Sequence, residues 1–550
     1  MKDTDFIHSY VLQGRPTKLL LVSQNSACLA DAPAVARRQM NLMERLFPLS
    51  QTRQVGGRVA RRKSGWCVDT GRQDRRRGGR FLSVMVSTRN LVRILTAIVM
   101  LGFSGFPAAG RQEQVMHTWE VDRTWAGHMT SPPILVTADD RQYLAYFNAE
   151  RRLTLAWRRL DEDAWHHRHF PVVTTWATGA HALIALAVDA DGMIHLIPYR
   201  RGLVESPEAP PNIIYYRSTR RHDPASMVRT LMVSPEEPNP HYPVFLNAAD
   251  GSLFFECRIG VSGRGNQALY HFDRATGEWH RLATLLDGLG RMSAYGGPRL
   301  GPDGRWHCLW MWRDTPDAAT NHTLSYMVSP DLRTWRNAAG EELALPVNPD
   351  DPRVVVDPSP PGGGMINPLQ FLGFDSQQRP VASYHVYAPC GNSAIYNARF
   401  EEGGWKRVAS HVWDFRWGFG GGGAIVIKIG VDPVTPIGDG RLLQRVWSER
   451  DGVQHVILDE ATLEPVGVAD SSEHSADTPE PRWRRQHGRP EIAFPARPLA
   501  VSWLPDRGKP EEPGVRYFIR WEHGPVNAGD RPVPEPWPPA APLRVFKVGK

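Results

Sequence analysis

One phrase recurs from about residue 115 to 465, and it restricts the folds open to this chain more than any other feature. An aspartate-glycine turn leads into alternating apolar residues. A Tyr/Ala-Arg strand follows, and a charged turn ends in tryptophan. The first half reads "DADGMIHLI" (189–197), "AADGSLFFE" (248–256) and "GPDGRWHCLW" (301–310). The second half reads "LAWRRLDEDAW" (155–165), "ALYHFDRATGEW" (268–279), "LSYMVSPDLRTW" (324–335) and "IYNARFEEGGW" (395–405). Trp165 and Trp279 are 114 residues apart, Trp279 and Trp335 are 56 apart, and Trp335 and Trp405 are 70 apart. A period near 57 residues of short strands with a tight turn in each copy predicts blades of a β-propeller. Roughly 400 residues at that period give about seven blades. No long stretch of helical periodicity competes. The proline-rich tail, 466–550, contains the strand-like "VRYFIRWEHG" (515–524) and is expected to form the last blade, the alternative being a disordered tail.

Charge is distributed unevenly. The chain's +7 combines 16 Lys/Arg against 6 Asp/Glu in residues 1–84 (+10), Arg89 and Arg93 (+2), and a remainder of 7 − 10 − 2 = −5 over 111–550. A mildly acidic body carries no nucleic-acid footprint. Residues 88–110, "TRNLVRILTAIVMLGFSGFPAAG", have a basic start, an apolar core from Ile94 to Phe103 and small residues at Ala108-Ala109-Gly110. This is the layout of a secretory signal, with a core too short to span a bilayer. The expected organisation is three segments. Residues 1–84 are a disordered basic arm or upstream sequence ahead of a start near Met85. Residues 85–110 are a signal peptide cleaved near Ala109 or Gly110. Residues 111–550 are an all-β, seven-bladed propeller. The other reading of the first two segments is a basic arm on a membrane-anchored protein. Cys28 and Cys67 fall in the arm; Cys257, Cys308 and Cys390 are too few for a disulfide scaffold.

Six phrases carry a resemblance in their order and spacing: "TWAGH" (124–128), "AYFNAERRLTLAWRRL" (145–160), "GAHALIALAVDADGMIHLIPYRR" (179–201), "YPVFLNAADGSLFFECRIGVSGRGN" (242–266), "HCLWMWRDTPDAATNHTLSYMVSPD" (307–331) and "WDFRWGFGGGGAI" (413–425). Together they resemble the BNR-repeat secreted propellers that include ulvan lyases and enzymes acting on rhamnose–glucuronate linkages. "SPDLRTW" resembles a degraded Asp-box turn of neuraminidase-like propellers. In the lyase members the pattern holds a His, a second His twenty residues on, a Tyr-Pro, an Arg sixteen residues after that Tyr, and a later Tyr. Here the resemblance implies His181, Tyr242, Arg258 and Tyr295. The second histidine is replaced by Arg201.

Those residue types suit β-elimination on a uronide. The C5 proton is weakly acidic until the neighbouring carboxylate is neutralised, and an arginine fork matches a carboxylate at two points. Arg258 is the candidate for this role, expected at an exposed strand end. His181 and Tyr242 are the candidate base and acid. Tyr295 shapes the site, and Arg201 is a candidate second carboxylate contact. His128 is a candidate substrate contact, tied by the resemblance to rhamnosidase-type chemistry. His322, His385 and Cys390 have the chemistry to hold a structural calcium or zinc ion, though without short ligand spacing; no cofactor is required for catalysis. "GFGGGGA" (418–424) lacks the residues of a phosphate loop, and close backbone approach explains its glycines better. The expected partner is a polysaccharide, for a monomer with no nucleic acid and, after processing, no membrane. The alternatives are an α-L-rhamnosidase-like hydrolase, a non-catalytic glycan-binding propeller and, less well supported, a sialidase, for which no arginine triad can be assembled.

Overall fold

The computed structural model describes residues 113–174, 183–198, 203–204, 213–232, 240–469, 481–508, 510, 512–526 and 534–549. The chain divides into two units, Met1–Gly110 and Arg111–Lys550, and all the described residues lie in the second. The basic arm, the signal-like segment and its cleavage point lie outside the described residues, as do His181 and Arg201.

Strands account for nearly all of the regular structure, and the α-helix among the described residues is the six-residue Arg482–His487. The reason is visible in single strands. In Arg141–Phe147 the side chains of Tyr143, Ala145 and Phe147 enter one core while Leu144 and Tyr146 enter another. A strand points successive residues to opposite faces, so a run of apolar residues is stable only in a sheet covered on both sides.

Six sheets form among the described residues. One has ten strands and contains two antiparallel meanders, spanning 240–286 and 293–336, joined at a single parallel bridge from Gly265 to Ser293. The meanders therefore run in chain order over 134–174, 184–230, 240–286, 293–336, 370–412 and 429–468. A last sheet takes Ala500–Pro505, Arg516–His523 and Ala541–Gly549 from the tail. Its fourth strand is Gln114–Thr124, paired antiparallel with Ala541–Gly549 from Gln114↔Gly549 to Thr124↔Ala541. The tail strand expected at 515–524 is thus Arg516–His523, and the two ends of this unit share one sheet.

Apolar cores fill the spaces between consecutive meanders. Tyr270 and Cys257 of the third meet Tyr215 and Ile197 of the second. Phe254 and Leu269 of the third meet Trp306 and Trp310 of the fourth. Leu309 and Tyr326 of the fourth meet Tyr384 and Ala398 of the fifth. The repeat tryptophans occupy matching places. Trp279, Trp335 and Trp405 each lie at the first or second residue of the fourth strand of their meander, and Trp165 directly precedes its own. Trp279, Trp335 and Trp405 pack into the core shared with the preceding meander, and Trp165 packs into the core shared with the sheet of Gln114–Thr124 and the tail.

The aspartate turns are explained by hydrogen bonds. Asp189 accepts the backbone N–H of Asp191 and Met193, and Asp375 accepts those of Gln377 and Arg379. Neighbouring strands tie the same carboxylates: His195 reaches Asp189 at 3.1 Å, His307 reaches Asp303 at 2.9 Å and Arg399 reaches Asp375 at 3.1 Å. One side chain fixes the hairpin and docks it to the sheet. In the ten-stranded sheet these turns, at Asp250 and Asp303, close one end. The candidate residues Tyr242, Arg258 and Tyr295 lie towards the other.

Candidate active site

The stretch 258–266 is a hairpin, and its glycines explain the position of the arginine. Leu253–Val261 pairs with Arg264–Asp273 through to Gly260↔Gly265 and Val261↔Arg264, with Ser262-Gly263 as the turn. A Cβ on Gly260 would meet the Arg264 carbonyl at 2.6 Å, and one on Gly263 would meet the Thr315 Cα at 2.7 Å. Both glycines have positive φ, +101° and +79°. Because the strand continues three residues past Arg258, the arginine is not at an exposed strand end. It is inside the strand and 4% exposed. Pairing of the glycines extends the ladder beyond the point where the sequence suggests it stops.

Tyr242 reaches Arg258 through a bulge. His241 pairs with Arg258 and Val244 with Glu256, so Tyr242 and Pro243 oppose Cys257 alone. Tyr242 has φ +56°, left-handed backbone that a non-glycine residue adopts at a cost of about 1–3 kcal/mol. The bulge turns the ring towards the arginine, whose Cζ is 4.8 Å from the Tyr242 ring centre.

Tyr295 comes from the next meander. Gly265 donates to the Met292 carbonyl at 3.2 Å and Gly263 to Ser293 Oγ at 2.8 Å, seating Ser293–Leu300 against the hairpin. Gln370 Nε2 donates to the Tyr295 carbonyl at 2.6 Å from the following meander. The phenol lies 2.7 Å from Ser262 Oγ. Its ring centre is 5.1 Å from the Arg258 Cζ and 6.4 Å from the Tyr242 ring. Tyr242, Arg258 and Tyr295 therefore form one group.

The electrostatics of this group are unusual for a protein interior. Arg258 Nε and Nη1 are buried without a hydrogen-bond partner, and among the described residues Arg258 makes no ion pair. An unpaired buried cation is costly, and an anionic ligand would relieve it. Burial raises the Tyr295 phenol, but Arg258 and then Arg313, with hydrogen bonds from Ser262 and Arg258, outweigh it and hold it below the ordinary tyrosine range. A half-buried phenol that loses its proton more easily than usual is suited to proton transfer. Sequence reasoning gave Tyr295 only a shaping role and passed over Ser262 and Arg313. The available signal was the strand-ending arginine in "WMWRDTPD", which parallels the arginine in "FFECRIG".

The other candidates lie elsewhere. His128 is 1% exposed, its ring edge-on to Trp125 at 4.7 Å, in the connection between Gln114–Thr124 and Ile134–Ala138. His322 bonds Asp314 and Thr323, both at 2.9 Å. His385 is buried against Gly364, and burial pushes it down to about 4. Cys390 is exposed. Among the described residues no group of three or more His, Cys, Asp or Glu side chains is placed to hold a metal ion, and no disulfide forms. The glycine run packs its backbone on the loop after Arg313: Gly421 N–H donates to Asp317 Oδ1 at 2.6 Å and Ala318 N–H to the Gly421 carbonyl at 2.8 Å.

The profile of the BNR repeat-containing family matches residues 141–413. This stretch belongs to that family. The BNR region holds Tyr242, Arg258, Tyr295 and Arg313. Among solved structures the chain is similar to the polysaccharide lyase Uly1, at 14% identity and TM-score 0.50, over 80% of this chain and 99% of that one. It is also similar to a PL25 ulvan lyase, at 13% identity and TM-score 0.49, over 78% and 95%. The BNR region and its flanking sheets thus have a polysaccharide-lyase-like fold at low identity. No curated protein matches the chain.

Proposed function

We propose that this protein is an exported polysaccharide lyase that cleaves uronic-acid-containing glycans of the rhamnose–glucuronate type by β-elimination. The seven meanders, in this reading, are the blades of a closed propeller whose substrate mouth carries the Arg258 group. The observation that carries the proposal is the buried Arg258 guanidinium, without an ion pair among the described residues and set between two tyrosines, one of them acidified.

The chemistry follows from that arrangement. A uronate carboxylate bound to Arg258 loses much of its negative charge, which acidifies C5. Ionised Tyr295 takes the C5 proton. The C5–H electron pair becomes the C4=C5 double bond, the C4–O4 bond breaks, and the departing oxygen receives a proton from Tyr242. His181 and Arg201 enter from sequence alone, as a further proton carrier and a second carboxylate contact.

Incubation with ulvan, gum arabic and rhamnogalacturonan tests this. Growth of unsaturated-uronide absorbance is the expected result. New reducing ends without absorbance would make the protein a hydrolase, and affinity without turnover a binder. Arg258→Ala should lower turnover by about 100- to 1000-fold, roughly 3–4 kcal/mol. Arg258→Lys should rescue little, because an ammonium lacks the planar fork. Export is tested by sequencing the N-terminus of secreted protein, expected near Arg111.

A further inference from the structure

Tyr295 faces two guanidinium groups, and the proton-transfer reading above uses only one. The second, Arg313, ends the strand Trp306–Arg313 and is 7% exposed. Its Cζ is 5.3 Å from the Tyr295 ring centre. Its register is fixed, because Ser293 pairs with Arg313 two residues before Tyr295. Nε donates to the carbonyls of Thr315 at 3.1 Å and Asp317 at 3.2 Å, and Nη2 donates to that of Pro316. All three acceptors are neutral backbone oxygens on one short loop. Asp317 Oδ1 accepts the N–H of Ala319 within that loop, and the loop is anchored from outside by Gly421, whose N–H donates to the same Oδ1.

The acidic groups nearby in sequence are engaged elsewhere. Asp314 bonds His322 and Glu256 is held by Gln267 and Arg299, while Asp317, whose carboxyl is held low first by the N–H groups of Ala319 and Gly421, also feels Arg313 weakly. Among the described residues Arg313 makes no ion pair. Among the described residues, the groups facing Tyr295 are Arg258 from one strand, Arg313 from its own hairpin, the neutral Ser262 hydroxyl, the Tyr242 ring and the Gln370 amide. An arginine neutralised by a carboxylate would bring little net field to its neighbour. One hydrogen-bonded by carbonyls, with its nearby carboxylate held chiefly by backbone N–H groups, keeps most of its field and has a fixed position.

We propose that Arg313 is a positioning residue acting through Tyr295: its guanidinium, clamped by three backbone carbonyls with no carboxylate in ion-pair contact among the described residues, holds the phenol ready to give up its proton, which leaves Arg258 available to the substrate carboxylate. The two arginines then have separate tasks. When an anion binds, Arg258 is partly neutralised by it, whereas Arg313 keeps its influence on Tyr295. The role in turnover rests on the lyase reading, but the effect on the phenol does not.

Two measurements on full-length protein separate these. The first is NMR titration of protein carrying carbon-13 at tyrosine Cζ. The chain has 14 tyrosines, and Tyr295→Phe identifies the resonance in question by removing it. In the unsubstituted protein this resonance should titrate below the bulk of the tyrosines. In Arg313→Gln it should move up by about one pH unit or more, the usual size for loss of one adjacent charge. In Arg313→Lys, which keeps the charge, it should stay near its original position. An ordinary tyrosine titration in the unsubstituted protein overturns the inference, as does an unmoved resonance in Arg313→Gln. Should Arg313→Gln fail to fold, Arg313→Lys decides, and an ordinary Tyr295 titration there overturns it equally.

The second measurement is the pH profile of kcat/KM. The rising limb should move to higher pH in Arg313→Gln, costing roughly tenfold near neutrality for a shift of about one pH unit and recovering in alkali. In Arg313→Lys it should remain in place. A loss uniform across pH would make Arg313 merely structural and overturn the inference. If no lyase activity exists but the resonance moves as described, the proposed function fails and the assignment of Arg313 stands.

Discussion

Glu256 stands two residues before Arg258, on the same face of the strand Leu253–Val261, and is 3% exposed. Gln267 Nε2 donates to it at 2.6 Å and Arg299 approaches at 3.5 Å. The fit is close enough that any Cβ on Gly297 would lie 1.8 Å from its Oε1. Burial pushes the carboxyl up to about 7, against the opposing pull of Arg299 and the Gln267 hydrogen bond. Since the folded value lies above the unfolded one, the stabilising contribution is complete below about pH 4.5 and is lost as pH rises through about 7. Glu256→Gln should therefore stabilise the protein by up to about 3 kcal/mol at pH near 8 and by almost nothing near pH 4. Urea unfolding at both pH values checks this; equal gains at both would show that Glu256 does not titrate in the folded protein.

At the level of elements, the turn Ser262-Gly263 links structure to chemistry. It brings the Ser262 hydroxyl to Tyr295, and its glycine packs against the backbone of Thr315 in the loop that clamps Arg313. Gly263→Ala meets two penalties at once: a positive φ of +79° and a Cβ 2.7 Å from the Thr315 Cα. A cost of about 1–3 kcal/mol is expected. Because the neighbour is backbone, relief requires separating the two loops. Turnover should therefore fall more than stability alone explains, even where the protein remains fully folded. Calorimetry and steady-state rates below the transition measure both. Gly304→Ala is the contrast, with φ +75° but open space around its Cβ, in a turn at the far end of the sheet. It should cost some stability and leave turnover unchanged.

For the whole unit, the pairing of Gln114–Thr124 with Ala541–Gly549 determines how it holds together. This strand is contributed from the opposite end of the sequence. Without it, Ala541–Gly549 becomes an unpaired edge, and Val121 is lost from the core it shares with Leu543, Trp521 and Leu135. The other face of this sheet is covered by the short helix, with Trp483 packed on Phe518 and Phe546. A chain beginning at Arg111 should unfold cooperatively with undiminished midpoint. One beginning at Trp125 should lose several kcal/mol, or its cooperativity altogether. Equal midpoints for the two chains would show that the terminal strand is dispensable.

Signals local to the chain set the architecture of repetition. The Asp-Gly turns and the tryptophans that close each copy are local signals, set by hydrogen bonds within a few residues and by alternation along one strand. They correctly gave an all-β chain of repeated short strands, with Trp165, Trp279, Trp335 and Trp405 at matching places. Arg258 and Tyr242 were legible as a pair because a strand and its hairpin partner keep a fixed register. Three features were not legible: the burial of Arg258, the acidified Tyr295 and the contribution of Arg313. Each depends on groups from different meanders meeting at the bridge from Gly265 to Ser293, and on which nearby carboxylates are already engaged. A charge's effect on its neighbour depends on distance, burial and compensation. Those are properties of the packed sheets, and spacing along a single strand does not contain them.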